Sequence, residues 1–132
     1  MDTMEETTEE KSVRVTRVVA RPLDSVWEVL MKPHGAEALL GEGGQLGSKG
    51  EDWRAVDGTY GVTRSFHPKE QIRFSWHASE GAPRTLVDLH IRPVGDRREL
   101  EIVHEHLPRE ADAEELERHW ESALERIESA AS

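Results

Sequence analysis

Cysteine is absent from this 132-residue chain, which rules out disulfides, a thiolate nucleophile and cysteine-ligated metal. Basic residues are also short: 17 against 27 acidic ones, a formal charge of -10 that would repel phosphate backbones and anionic lipid heads. Nucleic acid and membrane surfaces are therefore not expected as partners. No apolar run approaches the length of a membrane span, and the start, Met1 to Lys11, is acidic where a signal peptide would be basic and then apolar. The expected location is the cytoplasm. Residues 1–11, whose only apolar side chains are Met1 and Met4, are expected to be disordered, leaving 12–132 as a single domain. Catalytic signatures are missing too, since there is no GxSxG elbow and no serine with histidine and acid at a familiar spacing. The glycines from Gly41 to Gly50 lack the GxxxxGK[ST] order of a phosphate cradle and read as a plain loop. No cofactor is expected.

What the chain does have is a strong C-terminal helix pattern. Leu116, Trp120, Ala123, Leu124, Ile127 and Ala131 recur at intervals of three and four, while Glu114, Glu117, Arg118, Glu121, Glu125 and Glu128 fall on the opposite face. Asp112 stands at the N-cap, Glu115 completes a capping-box spacing, and Ala111 and Leu116 occupy the staple positions. An apolar stripe of this length needs a partner surface, and the rest of the chain supplies strands. Val13 to Val19 is β-branched and stops at Pro22. A short helix follows with Asp24 or Ser25 as cap and Val26, Trp27, Leu30 and Met31 on one side, then a second helical piece over Ala36 to Leu40. Strands are predicted over Asp52 to Val56 and Thr59 to Phe66, around a two-residue Asp57-Gly58 turn, and over Gln71 to His77.

The last hairpin permits the most detailed prediction. With Gly95-Asp96 as its turn, Ile91 faces Leu100, Leu89 faces Ile102 and Val87 faces His104, while Arg92 pairs with Glu99 and His90 with Glu101 on the other face. The order βααβββββα then describes an α+β domain in which one long helix lies across an antiparallel sheet. Its inner face would carry Phe74, Trp76, Val87, Leu89, Ile91 and Ile102 beside the small Gly61, Thr63 and Ser65, with Trp120 against them. Small residues beside large ones either leave a cavity with a few polar tips or interdigitate as a dry core. His104 sits among apolar neighbours, where an imidazole either holds one structural hydrogen bond or works as a ligand-orienting group, acid or base. Trp27 and Trp120 read as core anchors. His104-Glu105-His106 has the strand spacing of two metal ligands but no third, because His90 falls on the other face, so no metal is expected.

Pro22 with Val26-Trp27, the run Gly61-Val62-Thr63-Arg64-Ser65-Phe66-His67-Pro68, Ile72-Arg73-Phe74-Ser75-Trp76, Leu100-Glu101-Ile102-Val103-His104 and His119-Trp120 follow one another in a familiar order. In these, from about Val13 to Ser129, the chain resembles the activator of heat-shock-protein-90 ATPase homologue family of the START/SRPBCC superfamily. It departs from the family at Leu39-Leu40, where tryptophan is usual, and at His119, where glycine is. The resemblance implies a helix-grip fold, a curved antiparallel sheet wrapped around the C-terminal helix, with a cavity between them. It implies a non-catalytic binder of a small lipophilic molecule, with Trp53, Thr63, Ser65, Phe74, Trp76, Val87, Leu89, Ile102, His104, Trp120 and Leu124 as the cavity wall. The alternatives it opens are a cochaperone-like module that binds a chaperone and a cavity enzyme of cyclase or hydrolase type using His104. A monomer or a weak homodimer is expected.

Overall fold

The structure, a computed structural model, describes residues 11–131. The elements run β1 (Lys11–Val19), α1 (Leu23–Met31), α2 (Pro33–Leu40), β2 (Asp52–Arg54), β3 (Tyr60–His67), β4 (Gln71–Trp76), β5 (Thr85–Val94), β6 (Arg97–Leu107) and α3 (Ala113–Ala130). This is the expected helix-grip order. The expected disorder of 1–11 lies outside the described residues except at Lys11, which opens β1 instead. All neighbouring strands are antiparallel, in the order β1-β6-β5-β4-β3-β2, so the first strand crosses to pair with the last.

The β5–β6 register is the predicted one: Ile91 opposes Leu100, Leu89 opposes Ile102, Val87 opposes His104, and Arg92 opposes Glu99. Gly95, at φ +62, supplies the tight turn. Alternation then buries one face, with Val87, Leu89, Ile102, Phe74 and Ile72 all at most 1% exposed. The other face is a ladder of charge. Arg92 Nη2 donates to Glu101 at 2.7 Å, Arg14 meets the same carboxylate at 3.3 Å, and Arg73 lies 3.4 Å from Asp88.

Helix α3 starts as its sequence dictates, Asp112 Oδ1 accepting from the Glu115 N–H at 3.1 Å. It buries Trp120, Ala123, Leu124 and Ile127 against the sheet, each side chain adding on the order of 1–3 kcal/mol of apolar burial. Arg17 Nε bonds Glu128 at 2.6 Å and fixes the far end of α3 over β1.

Three local expectations are corrected. Neither Asp24 nor Ser25 caps α1; Pro22 is the N-cap, its carbonyl accepts from Val26 N–H at 3.1 Å, and Asp24 lies in the first turn. Helix α2 begins at Pro33 rather than Ala36, because a proline at N1 gives up no needed donor. The β2–β3 connection is not a two-residue turn. The ladder ends at Arg54–Tyr60, Ala55 N–H closes the loop onto the Thr59 carbonyl at 2.9 Å, and Asp57 Oδ1 accepts from both the Thr59 N–H and its hydroxyl. Two hydrogen bonds donated by Thr59 stabilise the Asp57 carboxylate and lower its pKa. Among the described residues no helix is long and apolar enough to cross a membrane.

Candidate functional site

Beneath α3, the strands bring a chain of polar groups into an otherwise apolar interior. Trp120 Nε1–H donates to His104 Nδ1 at 3.1 Å, and His104 Nε2 lies 2.7 Å from Thr85 Oγ1. An indole can only donate, so Nδ1 is the unprotonated nitrogen and Nε2 carries the hydrogen. The relay therefore runs from Trp120 to His104 to Thr85, whose hydroxyl donates onward to the Trp76 carbonyl at 2.7 Å. Burial drives the His104 pKa from 6.5 down to about 3, with the neighbouring His119 adding to the effect. The imidazole is neutral and fully enclosed.

Rings surround it edge-on. Trp76 lies 4.9 Å and Trp120 5.6 Å from the His104 ring, and His119 packs 4.5 Å from Trp120. His119 keeps an exposed edge, yet desolvation lowers its pKa, against an opposing pull from Asp57. Both nitrogens of His104 are engaged by neutral partners, and His119 is an ionisable neighbour. Orienting a ligand with this imidazole would break one of these two bonds.

The remaining expected wall residues divide by strand geometry. Val87, Leu89, Ile102 and Phe74 lie buried on the sheet and Trp120 and Leu124 on α3, Trp76 is partly buried, and Trp53 packs edge-on to Phe74 at 5.9 Å. Ser65 does not join them. The register shifts between Thr63 and Ser65, one extra residue in β3 turning Ser65 to stand opposite Arg73 on the charged face. Gly61 leaves no gap either. A Cβ there would sit 1.9 Å from the Ser75 carbonyl oxygen and 2.8 Å from Trp53 Nε1, because the Trp53 indole crosses this position to donate to that carbonyl at 3.2 Å. His106 breaks the strand alternation with φ +65 and is exposed while His104 is enclosed, so the two imidazoles do not share a face. Among the described residues no group of three or more histidines and acids is arranged to hold a metal.

Thr63 is different. It is 0% exposed, stands opposite Phe74 on the inner face, and its hydroxyl is the one buried side-chain polar atom among the described residues with no hydrogen-bond partner. Thr85 is the residue that sequence reasoning missed. The same register that sets Val87 opposite His104 leaves Thr85 two residues away on the same face, which was the available signal.

The family model described as Activator of Hsp90 ATPase homolog 1-like protein matches residues 20–132. Among solved structures, CalU16 from Micromonospora echinospora superposes with a TM-score of 0.77 at 24% identity, over 93% of this chain and 77% of that one. DynU16, a protein of the dynemicin biosynthetic locus, gives 0.73 at 20% identity over 89% of this chain and 46% of that one. The solution structure of the Aha1 dimer from Colwellia psychrerythraea gives 0.74 at 12% identity over 92% and 96%. No curated protein matches the sequence. At these identities the structures are evidence of a shared fold.

Proposed function

We propose, from the premise that this chain belongs to the Activator of Hsp90 ATPase homolog 1-like family, that it is a non-catalytic binding protein for a small lipophilic molecule. The molecule lies between the inner face of the sheet and α3, its apolar body against Phe74, Trp53 and Trp120, with one polar atom on Thr63 Oγ1. The observation that carries this reading is the unpartnered Thr63 hydroxyl. A buried hydroxyl without a partner costs about 1–3 kcal/mol, and native interiors retain few of them, so each asks for a reason. A ligand oxygen or nitrogen would supply the missing partner in surroundings too apolar to offer one. His104 is part of the wall and keeps its own bonds. The proposed place of work is the cytoplasm.

The test is native mass spectrometry and thermal shift against lipids, polyketide-like aromatics and sterols, on the wild type and on Thr63→Val, which keeps the shape and removes the hydroxyl. Retention of one class by the wild type, weakened in the variant, supports the proposal. No retained ligand, or a ligand indifferent to the substitution, overturns it. A second reading, a module that binds a chaperone, is favoured by the family's own description as an Hsp90 ATPase activator. It predicts capture of Hsp90 at micromolar concentration, unaffected by Thr63→Val. The dimeric Aha1 neighbour favours a second copy of this chain as a further partner, read by light scattering.

A further inference from the structure

At the end of the sheet away from His104, the β3–β4 turn, the β5–β6 hairpin and the start of α1 enclose a cleft of about 500 Å³, within the size range of small-molecule sites. Its charge runs against the rest of the molecule. On a chain of formal charge -10, the cleft is lined by Lys69, Arg92 and Arg98 with Glu70 as its one carboxylate. A pocket of the minority sign concentrates ligands of opposite charge against the background field.

The three cations are not equally occupied. Arg92 is committed to Glu101 and Glu99, at 2.7 and 3.3 Å. Lys69 pairs with Asp24 at 2.7 Å, but both side chains are at least half exposed, and an exposed pair of this kind opens readily. Arg98 is half-buried, standing opposite Pro93 and Val19 at the sheet's end, and donates from Nη1 to the Arg97 carbonyl at 3.0 Å. Among the described residues it has no carboxylate partner. A guanidinium carries five donors in a fork that matches an oxyanion, and among the described residues only Nη1 of Arg98 is engaged. Leu23 and the buried Ile91 give the cleft an apolar side.

We propose that this cleft binds a small molecule through a phosphate or carboxylate group, with Arg98 as the anchoring fork, Lys69 as a second cation released from Asp24, and Leu23 and Ile91 against the carbon body. The site is independent of the ligand proposed at Thr63.

The experiment is an amide NMR titration of the full chain at constant ionic strength, with inorganic phosphate and citrate as separate probes. The expected result is saturable shifts centred on Leu23, Glu70–Gln71 and Ile91–Arg98. Arg98→Gln should weaken binding about tenfold or more, the loss of a charge-assisted hydrogen-bonding pair. Glu70→Gln should strengthen it by removing a like charge, and this exposed substitution keeps the test open if Arg98→Gln unfolds. Saturation by one probe alone supports the site and identifies its anion. Shifts that stay linear in concentration, spread over the whole surface, or persist unchanged in Arg98→Gln with no gain in Glu70→Gln overturn it.

Discussion

Replacing Trp120 by phenylalanine removes one hydrogen-bond donor from the interior and leaves His104 Nδ1 as an enclosed acceptor with no partner. That orphaned atom costs about 1–3 kcal/mol, and the smaller ring adds roughly 1 kcal/mol of lost packing, for a total of about 2–4 kcal/mol. His104→Leu removes the acceptor instead. Thr85 keeps its donation to the Trp76 carbonyl, so the orphan is the Trp120 N–H, at a similar cost. The double variant removes both ends of the bond and leaves neither atom stranded. Its destabilisation should fall short of the sum of the singles by about 1–2 kcal/mol. The assay is urea unfolding of the four proteins with midpoints compared at a common slope. Additivity within about 0.3–0.5 kcal/mol would refute the reasoning, because it would mean that Nδ1 does not accept from the indole and the tautomer assignment is wrong.

The same imidazole sets a pH dependence. Its native pKa, about 3, lies below the 6.5 of the free group, so the unfolded chain binds the extra proton and stability falls as pH drops from about 6.5 toward 3. The slope contributed approaches about 1.4 kcal/mol per pH unit, and between pH 6 and 4.5, above most carboxylate titration, His104→Leu should flatten the unfolding profile measured by urea midpoint. Gly61→Ala should cost more than about 2 kcal/mol and weaken the Trp53 indole bond, since its methyl collides with the Ser75 carbonyl; loss of near-ultraviolet tryptophan signal alongside the midpoint checks this. Glu101→Gln keeps the shape of the outer-face carboxylate but strips the charge that Arg14 and Arg92 share; both arginines reach water, so the loss should be about 1 kcal/mol and should shrink at high salt.

Much of this architecture could be read from the residues because the informative patterns are local. Asp112 with Glu115 marks one helix start, and the alternation on both sides of Gly95-Asp96 admits one register, since a slip of one residue would set charge against the apolar row. What escaped reading was non-local or uncued. The extra residue that turns Ser65 outward carries no glycine or proline to announce it, and His106 takes a left-handed conformation without being glycine. That the space at Gly61 belongs to the Trp53 indole follows only from pairing β2 with β3. Thr85 becomes a partner of His104 only once β5 and β6 are zipped and α3 has docked.

Hydrogen-bond accounting then separates two polar residues that look alike by burial. His104 and Thr63 are both 0% exposed among apolar side chains, but His104 has no unused nitrogen, and recruiting it to a ligand would free the Trp120 indole that helps hold α3 to the sheet. Engaging Thr63 breaks nothing, because its hydroxyl has nothing to give up. The two sites therefore respond oppositely to removal of the polar group. Thr63→Val deletes an unpaid desolvation penalty and should raise the stability of the ligand-free protein by about 1 kcal/mol while weakening ligand retention. His104→Leu should lower stability and affect a ligand only through the loosened helix. A Thr63→Val protein that is less stable than wild type by urea midpoint would mean that its hydroxyl has a partner inside the fold, and the argument for a ligand at that strand would go with it.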